Sequence, residues 1–210
     1  RYASGESVQT VVGEALDAAT PDEFDAFVVL DRDDVLAQCE PSQQRWEKEE
    51  TLGPLDGIPI AIKLEFDVAG YPNNAGTTFL TDRKLEDSVV VRRLREAGAI
   101  IFGKTEMTEI GLGGVGTNPG RKTPKNPHDP TRMTGGSSSG SAAVVAAGIV
   151  SSALGSDAAG SIRMPAALCG VHGLKPTFGR IPSTGGALLA WSLDHLGPLA
   201  SSLEDIAHFY

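Results

Sequence analysis

Cysteine is nearly absent from this chain of 210 residues: Cys39 and Cys169 are the only two, far apart in sequence. Neither a disulfide framework nor a zinc cluster is indicated by that count. No apolar run is long enough to span a bilayer. The opening residues, RYASGESVQT, lack the apolar centre of a signal peptide. Basic residues are also scarce, 18 Lys and Arg against 27 Asp and Glu, which gives a net charge of -9 and a pI near 4.9. Phosphate recognition needs clustered Lys and Arg, so nucleic acid is not expected as a direct partner and the acidity reads as solubility. What is present is a globular composition, with 40% hydrophobic and 21% charged residues. The chain is long enough for one domain with a real core. A reducing cytoplasm is the expected location, with no membrane association.

The periodicities alternate between helix and strand. Val8, Val11, Val12, Ala15 and Leu16 fall at helical spacing, and Ala26 to Leu30 (AFVVL) reads as a short strand. Asp31 to Glu50 reads as a charged helix interrupted at Pro41. Gly57 to Lys63 (GIPIAIK) reads as a buried strand ending in a cation. Asp87 is expected to cap a helix running to Ala97, which Gly98 ends. Ala99 to Phe102 is a further strand, and Gly111 to Gly136, rich in Gly, Pro and Asn, is a long loop. Helices are expected over Ser141–Ala147 and Ile162–Leu168, with a strand over Val150–Leu154. No internal repeat is present. This alternation implies α/β architecture, with helices layered on a sheet.

Three motifs match patterns whose structural context they lack. Gly98 to Thr105 (GAIIFGKT) fits a phosphate-binding loop, but Ala99-Ile100-Ile101-Phe102 has the composition of a buried strand where a flexible cradle is required. Gly111 to Gly116 (GLGGVG) fits a dinucleotide fingerprint, yet it follows a helical stretch and runs into Asn118-Pro119-Gly120. Gly136 to Gly140 (GSSSG) fits a nucleophile elbow around Ser138, which needs a preceding strand that Pro127 to Thr134 does not supply.

Two small-residue segments and one lysine carry chemical potential. Ser137, Ser138, Ser139 and Ser141 lie among Gly135, Gly136 and Gly140. Composition alone reads as a flexible linker, but an apolar helix follows at once. Gly155-Ser156-Asp157-Ala158-Ala159-Gly160-Ser161-Ile162-Arg163 permits a tight turn whose N–H groups can converge on one oxygen. Asp157 and Arg163 are spaced to pair across that turn and hold it. A nucleophilic serine needs a base. His128, His172 and His195 have no distinguishing context. Lys63 closes an apolar run, where loss of its proton is easier. A lysine snorkelling from a strand end reads equally well, and the residues alone leave that choice open.

Taken together, these segments resemble the amidase signature family. The stretch Gly135 to Arg163 (GGSSSGSAAVVAAGIVSSALGSDAAGSIR) is similar to its defining signature almost residue for residue. Gly53 to Pro59, Lys63, Ala97-Gly98-Ala99, Gly103-Lys104-Thr105, Cys169-Gly170, Gly173 to Thr177 and Ser192 to Pro198 also match. The resemblance implies a mixed central β-sheet covered by helices on both faces, incomplete in this chain. Residues 1–210 would form the N-terminal portion of one amidase signature domain whose C-terminal part is absent. It implies Ser161 as acylating nucleophile, Ser137 as bridging serine 24 residues earlier, and Lys63 as neutral base. It further implies an oxyanion hole from the N–H groups of Ala158, Ala159, Gly160 and Ser161, and a cis peptide between Gly136 and Ser137. Asp157 and Arg163 would support the turn. No cofactor and no metal are implied. The substrate would be a small-molecule amide, cleaved to acid and amine or ammonia through a Ser161 acyl-enzyme.

Some positions depart from the family pattern. Leu64 stands where Asp usually follows the lysine, Ala158-Ala159 replaces a commoner Gly-containing pair, and Glu106 stands where Asn is common. The family domain is longer than this chain, so reduced activity is expected of residues 1–210 alone. Three functional readings follow: a stand-alone amidase that could form a homodimer, the glutaminase-type subunit of a glutamine-dependent tRNA amidotransferase with its partner subunits, and a catalytically inactive fragment.

Overall fold

The computed structural model describes residues Arg1–Tyr210 throughout. A single 3-10 turn, Tyr2–Ser4, precedes helix α1 (Val8–Ala19). The Ser7 side chain caps α1 by accepting from the Thr10 N–H at 3.0 Å. Val8, Val12, Leu16 and Ala19 form its buried stripe, at the spacing that places side chains on one helix face. Strand β1 (Phe27–Val29) follows, then helix α2 (Arg32–Glu47), which Asp31 caps through the Asp34 N–H at 3.1 Å.

Helix α2 runs unbroken through Pro41, against the expected interruption. Side chains on either side of the proline hold the helix in place. Gln38 bonds the backbone of Ile101 in both directions, Oε1 accepting its N–H at 2.9 Å and Nε2 donating to its carbonyl at 3.2 Å. Ser42 and Arg45 both bond Asp56, a buried carboxylate that also accepts the Leu52 N–H. Those contacts offset the single helical bond that proline removes.

Strand β2 (Pro59–Lys63) is buried along its whole length. Helix α3 (Val89–Glu96) has Ser88 at its N-cap position, with no side-chain capping bond, and Asp87 does not cap it because the Asp87 carboxylate accepts from the Ala69 N–H at 2.8 Å and from Arg95 Nε at 2.9 Å. Gly98, at φ +85°, ends it. A Cβ there would lie 2.6 Å from Asp56 Oδ1, so glycine is required both by the left-handed turn and by the close approach. Strand β3 (Ile100–Thr105) contains the last six residues of the GAIIFGKT segment, which excludes a phosphate loop there. Helix α4 (Ser139–Ala146) leads to β4 (Ser152–Asp157), which begins later than expected because the Ile149 and Val150 N–H groups turn back to the Val144 carbonyl. Helix α5 (Arg163–Cys169), β5 (His172–Gly173), β6 (His195–Ala200) and α6 (Leu203–Phe209) complete the chain.

The six strands form one mixed sheet in the order β1-β3-β2-β4-β6-β5. The central pairs β2–β3 and β2–β4 are parallel, whereas β1–β3, β4–β6 and β5–β6 are antiparallel. Side chains alternate across the sheet as strand geometry requires. Ala61, Ile100, Phe102 and Ala153 pack on one face with Val8, Val12 and Leu16 of α1, Val35 and Cys39 of α2, and Val144 of α4. Ile60, Ile62, Ile101 and Leu154 pack on the other face with Val90, Val91 and Leu94 of α3 and Phe209 of α6. Both faces are therefore covered by helices.

The loop between β3 and α4 is tied to the sheet by one ion pair. Glu106, buried just past the end of β3, receives Arg121 through two bonds of 2.9 and 3.0 Å. That pairing accounts for a carboxylate where an amide was the expected residue. Breaking such a pair leaves a buried charge without its partner. Arg121→Ala is expected to destabilise the protein by about 3 kcal/mol, lowering Tm by roughly 6–12 °C for a chain of this size. Adding Glu106→Gln should recover part of the loss in the same calorimetric scan.

Candidate active site

The parallel strands β2 and β4 end side by side, in the position where α/β sheets commonly place ligands. Lys63 is the last residue of β2 and has no exposed surface. Its Nζ donates to Ser137 Oγ at 2.7 Å and to Ser156 Oγ at 2.6 Å. Glu65 Oε1 lies 3.3 Å away. Burial pushes the Lys63 pKa below the usual lysine range, and the carboxylates of Glu65, Asp194 and Asp157 oppose that shift without reversing it. Leu64, the residue that departs from the family pattern, is wholly buried and gives the amine no polar support.

Ser137 is delivered by the turn that opens α4. Gly136 has φ +58°, and a Cβ there would lie 2.5 Å from Pro165 Cδ and 3.1 Å from Ser161 Cα. Only glycine lets the two serine-bearing segments approach this closely. All peptide bonds are trans, including Gly136–Ser137, which corrects the expected cis bond. The bend is made by the left-handed Gly136, whose N–H is held by the Gly114 carbonyl at 2.9 Å. In this geometry the Ser137 N–H donates to Ser161 Oγ at 3.1 Å, and no hydrogen bond joins the two serine hydroxyls directly.

Two other serines of the cluster, Ser138 and Ser141, hold structure together. Ser138 Oγ accepts from the Ser156 N–H and donates to the Ser156 carbonyl, both at 3.2 Å. Ser141 Oγ donates to the Leu154 carbonyl and pairs with Thr105 Oγ1. These bonds fasten the start of α4 to β4 and β3. No strand precedes the GSSSG segment, so the elbow geometry is absent. The GLGGVG segment follows a 3-10 turn, Glu109–Gly111, and opens no helix.

The turn after β4 is organised by Asp157, which is fully buried. Its carboxylate accepts from the Gly160 N–H at 2.7 Å, from the Ile162 N–H at 3.2 Å, and from Arg163 through Nε and Nη2, both at 2.9 Å. The Gly160 N–H is thus directed at Asp157 and away from the serines. The N–H groups of Ala158, Ala159 and Ser161 have no acceptor within the protein. The histidines lie elsewhere in hydrogen-bonding terms: His128 Nε2 pairs with the Cys169 carbonyl, and His195 Nδ1 faces the Leu193 and Asp157 carbonyls.

Sequence reasoning assigned no role to Ser156 or Glu65, the two further groups around the Lys63 amine. Ser156 adjoins Asp157 in the signature stretch, so its neighbourhood was visible but its partner was not. Glu65 follows Lys63 by two residues. It returns to the amine because the chain folds into a turn closed by the Phe66 N–H on the Lys63 carbonyl at 3.2 Å.

Asp157 couples the turn to pH. Burial works to raise its pKa, but Arg163 and the Ile162 and Gly160 N–H groups outweigh it and hold the carboxyl below its ordinary value of 3.8. A depressed folded pKa contributes stability that is complete above the unfolded value and is lost as pH falls through the folded one. Urea midpoints measured from neutral pH down past 3.8 should therefore drop in wild type. Asp157→Asn should be less stable at neutral pH and lose less stability on acidification.

The Amidase family profile matches residues 10–210. A fatty acid amide hydrolase of Arabidopsis thaliana is 51% identical over 181 residues, covering 85% of this chain and 30% of that protein. A glutamyl-tRNA(Gln) amidotransferase subunit of Chloroflexus aurantiacus is 45% identical over 190 residues, covering 90% of this chain and 39% of that one. The native peptide amidase of Stenotrophomonas maltophilia superposes with a TM-score of 0.93 at 32% identity, over 99% of this chain and 45% of its own. The chain thus spans less than half the length of each of these relatives. With the profile matching nearly its full extent, and the signature serines and lysine gathered at one end of the shared sheet, the chain belongs to the Amidase family.

Proposed function

We propose that this protein hydrolyses a carboxylic amide through an acyl-enzyme on Ser161, with Ser137 and Lys63 relaying the proton. The observation that carries this reading is the buried run of contacts from Lys63 Nζ to Ser137 Oγ at 2.7 Å and from the Ser137 N–H to Ser161 Oγ at 3.1 Å. A lysine whose burial favours the neutral amine can accept the Ser137 proton while Ser137 accepts that of Ser161. The two hydroxyls are not yet bonded to each other, and rotation of the Ser137 side chain on substrate binding closes the relay. Catalytic hydrogen bonds of this kind commonly tighten only once substrate is bound.

Ser161 Oγ then attacks the carbonyl carbon, and the oxyanion takes hydrogen bonds from the free N–H groups of Ala158, Ala159 and Ser161. Gly160 supports the hole indirectly, by anchoring the turn on Asp157. The relay runs in reverse to protonate the departing nitrogen, and water cleaves the acyl-enzyme. No step draws on a metal or cofactor. The assembled Lys63–Ser137 contact favours this reading over an inactive fragment. In this reading residues 1–210 are the N-terminal portion of an amidase domain, in keeping with the 45% of the peptide amidase chain that they cover. Two free, buried cysteines suit a reducing cytoplasm.

The acyl side of the substrate is best read as apolar. Gly111 approaches Ser137 Oγ and Leu189, and the two segments that meet there expose Leu112, Val115, Leu189, Trp191 and Leu193. An apolar acyl chain would cover such surface, as the name of the Arabidopsis relative suggests for that protein.

Labelling by a fluorophosphonate, followed by mass spectrometry, tests the roles. Wild type should be modified at Ser161, and Ser161→Ala should give no adduct. Lys63→Ala should react about a thousandfold more slowly, with its pH dependence moved upward because solvent hydroxide must replace the amine. Equal rates for wild type and Lys63→Ala would exclude Lys63 as base. Across saturated acyl amides, kcat/KM should rise with chain length by severalfold per added CH2, about 0.8 kcal/mol each; a flat or falling series would exclude the apolar acyl site.

A further inference from the structure

Glu65 is a buried carboxylate that the relay above does not use. Its side chain is 3% exposed, and Oε1 has no hydrogen-bond partner although it sits 3.3 Å from Lys63 Nζ. A structural carboxylate in this protein looks different. Asp56 and Asp157 each receive a bidentate arginine and backbone N–H groups. Glu65 has none of these, and the one cation placed against it is the Lys63 amine.

The backbone around Glu65 is nonetheless fixed from several sides. Its carbonyl accepts from Asn73 Nδ2 at 2.8 Å and from the Ala187 N–H at 2.9 Å. The Leu64 N–H donates to the Thr105 carbonyl at 3.1 Å, and buried Lys104 donates to the Phe66 carbonyl. The turn is held firmly while the carboxylate tip is left unbonded beside the amine. A buried charge so arranged acts mainly on the charge of its neighbour.

We propose that Glu65 is a positioning residue for Lys63: its carboxylate stabilises the ammonium that forms when Lys63 takes the relay proton. This rests on the relay proposed above. The proton balance is closed. As the Ser161 Oγ–carbonyl bond forms, the Ser161 proton passes to Ser137 and the Ser137 proton passes to Lys63. When the C–N bond breaks, the same proton returns along the relay to the leaving nitrogen.

Other charged groups face the pair. Asp157 at the end of β4 and Asp194 before β6 bear on Lys63, and Lys104 of β3 bears on Glu65. Asp157 is neutralised by Arg163, and Asp194 accepts the Ala190 N–H at 2.8 Å. Ser137 and Ser156 contribute neutral hydroxyls. Glu65 is the carboxylate in contact with the amine and the largest influence opposing the effect of burial on it.

The sign of the effect follows directly. A nearby carboxylate favours the ammonium, so removing it lets Lys63 become neutral at lower pH. The second-order rate of fluorophosphonate labelling at Ser161, measured against pH, reads this out. Glu65→Gln should move the acid limb to lower pH by about one unit and lower the plateau roughly tenfold, because a weaker base drives the transfer less well. Glu65→Asp, with the charge drawn back by one methylene, should give an intermediate shift, and it serves as the deciding variant if Glu65→Gln does not fold. Ser161 labelling with the acid limb unmoved in these variants would overturn the role of Glu65 while leaving the relay intact. Absence of Ser161 labelling in wild type would overturn the relay itself, and this proposal with it.

Discussion

A lysine amine with no contact with solvent is the constraint around which the rest of this structure is arranged. Lys63 ends β2, the strand flanked on both sides by parallel neighbours. An isolated ammonium in that position is strongly disfavoured, so the amine must be neutral or be met by partners. The surrounding elements supply those partners. Strand β4 brings Ser156, the start of α4 brings Ser137, and the turn after β2 brings Glu65. In the function proposed above, the same low-dielectric setting that makes the amine expensive to ionise is what would make it useful as a base.

Holding several short polar contacts at one point requires rigid supports, and two buried carboxylates provide them. Asp157 organises the turn that carries Ser161, and Asp56 ties α2 to the segment leading into β2. Each works by the same means, a bidentate arginine plus backbone donors, and in each the charge is held below its usual titration range against the opposing effect of burial. Ser138 and Ser141 extend the support by fastening α4 to the sheet. The serine-rich stretch is therefore fastened by the hydroxyls of Ser138 and Ser141, and its composition conceals a packed structure.

Much of this was legible in the residues. The apolar run before Lys63, the helical stripe of α1, the alternation of elements and the signature stretch each marked a feature that the structure contains. The limits have physical causes. Pro41 argued for a helix break because its compensating contacts, Gln38 to Ile101 and Arg45 to Asp56, span distances in sequence that no local pattern records. Strand β6 carries Gly197 and Pro198, residues that usually exclude a strand, yet it lies between β4 and β5. The direction of the Gly160 N–H and the trans Gly136–Ser137 bond are matters of backbone orientation, which residue identity does not specify. Glu65 was hidden for a simpler reason: its meaning depends on a turn that brings it back to the amine two residues earlier.

The central claim is that Ser161, and no other hydroxyl in the serine-rich site, becomes acylated. Acid-quenching the protein during turnover of an amide and mapping the acyl group by peptide mass spectrometry tests it most directly. The account predicts a single modified peptide with the acyl group on Ser161. An acyl group on Ser137, Ser138 or Ser139 in its place would contradict it.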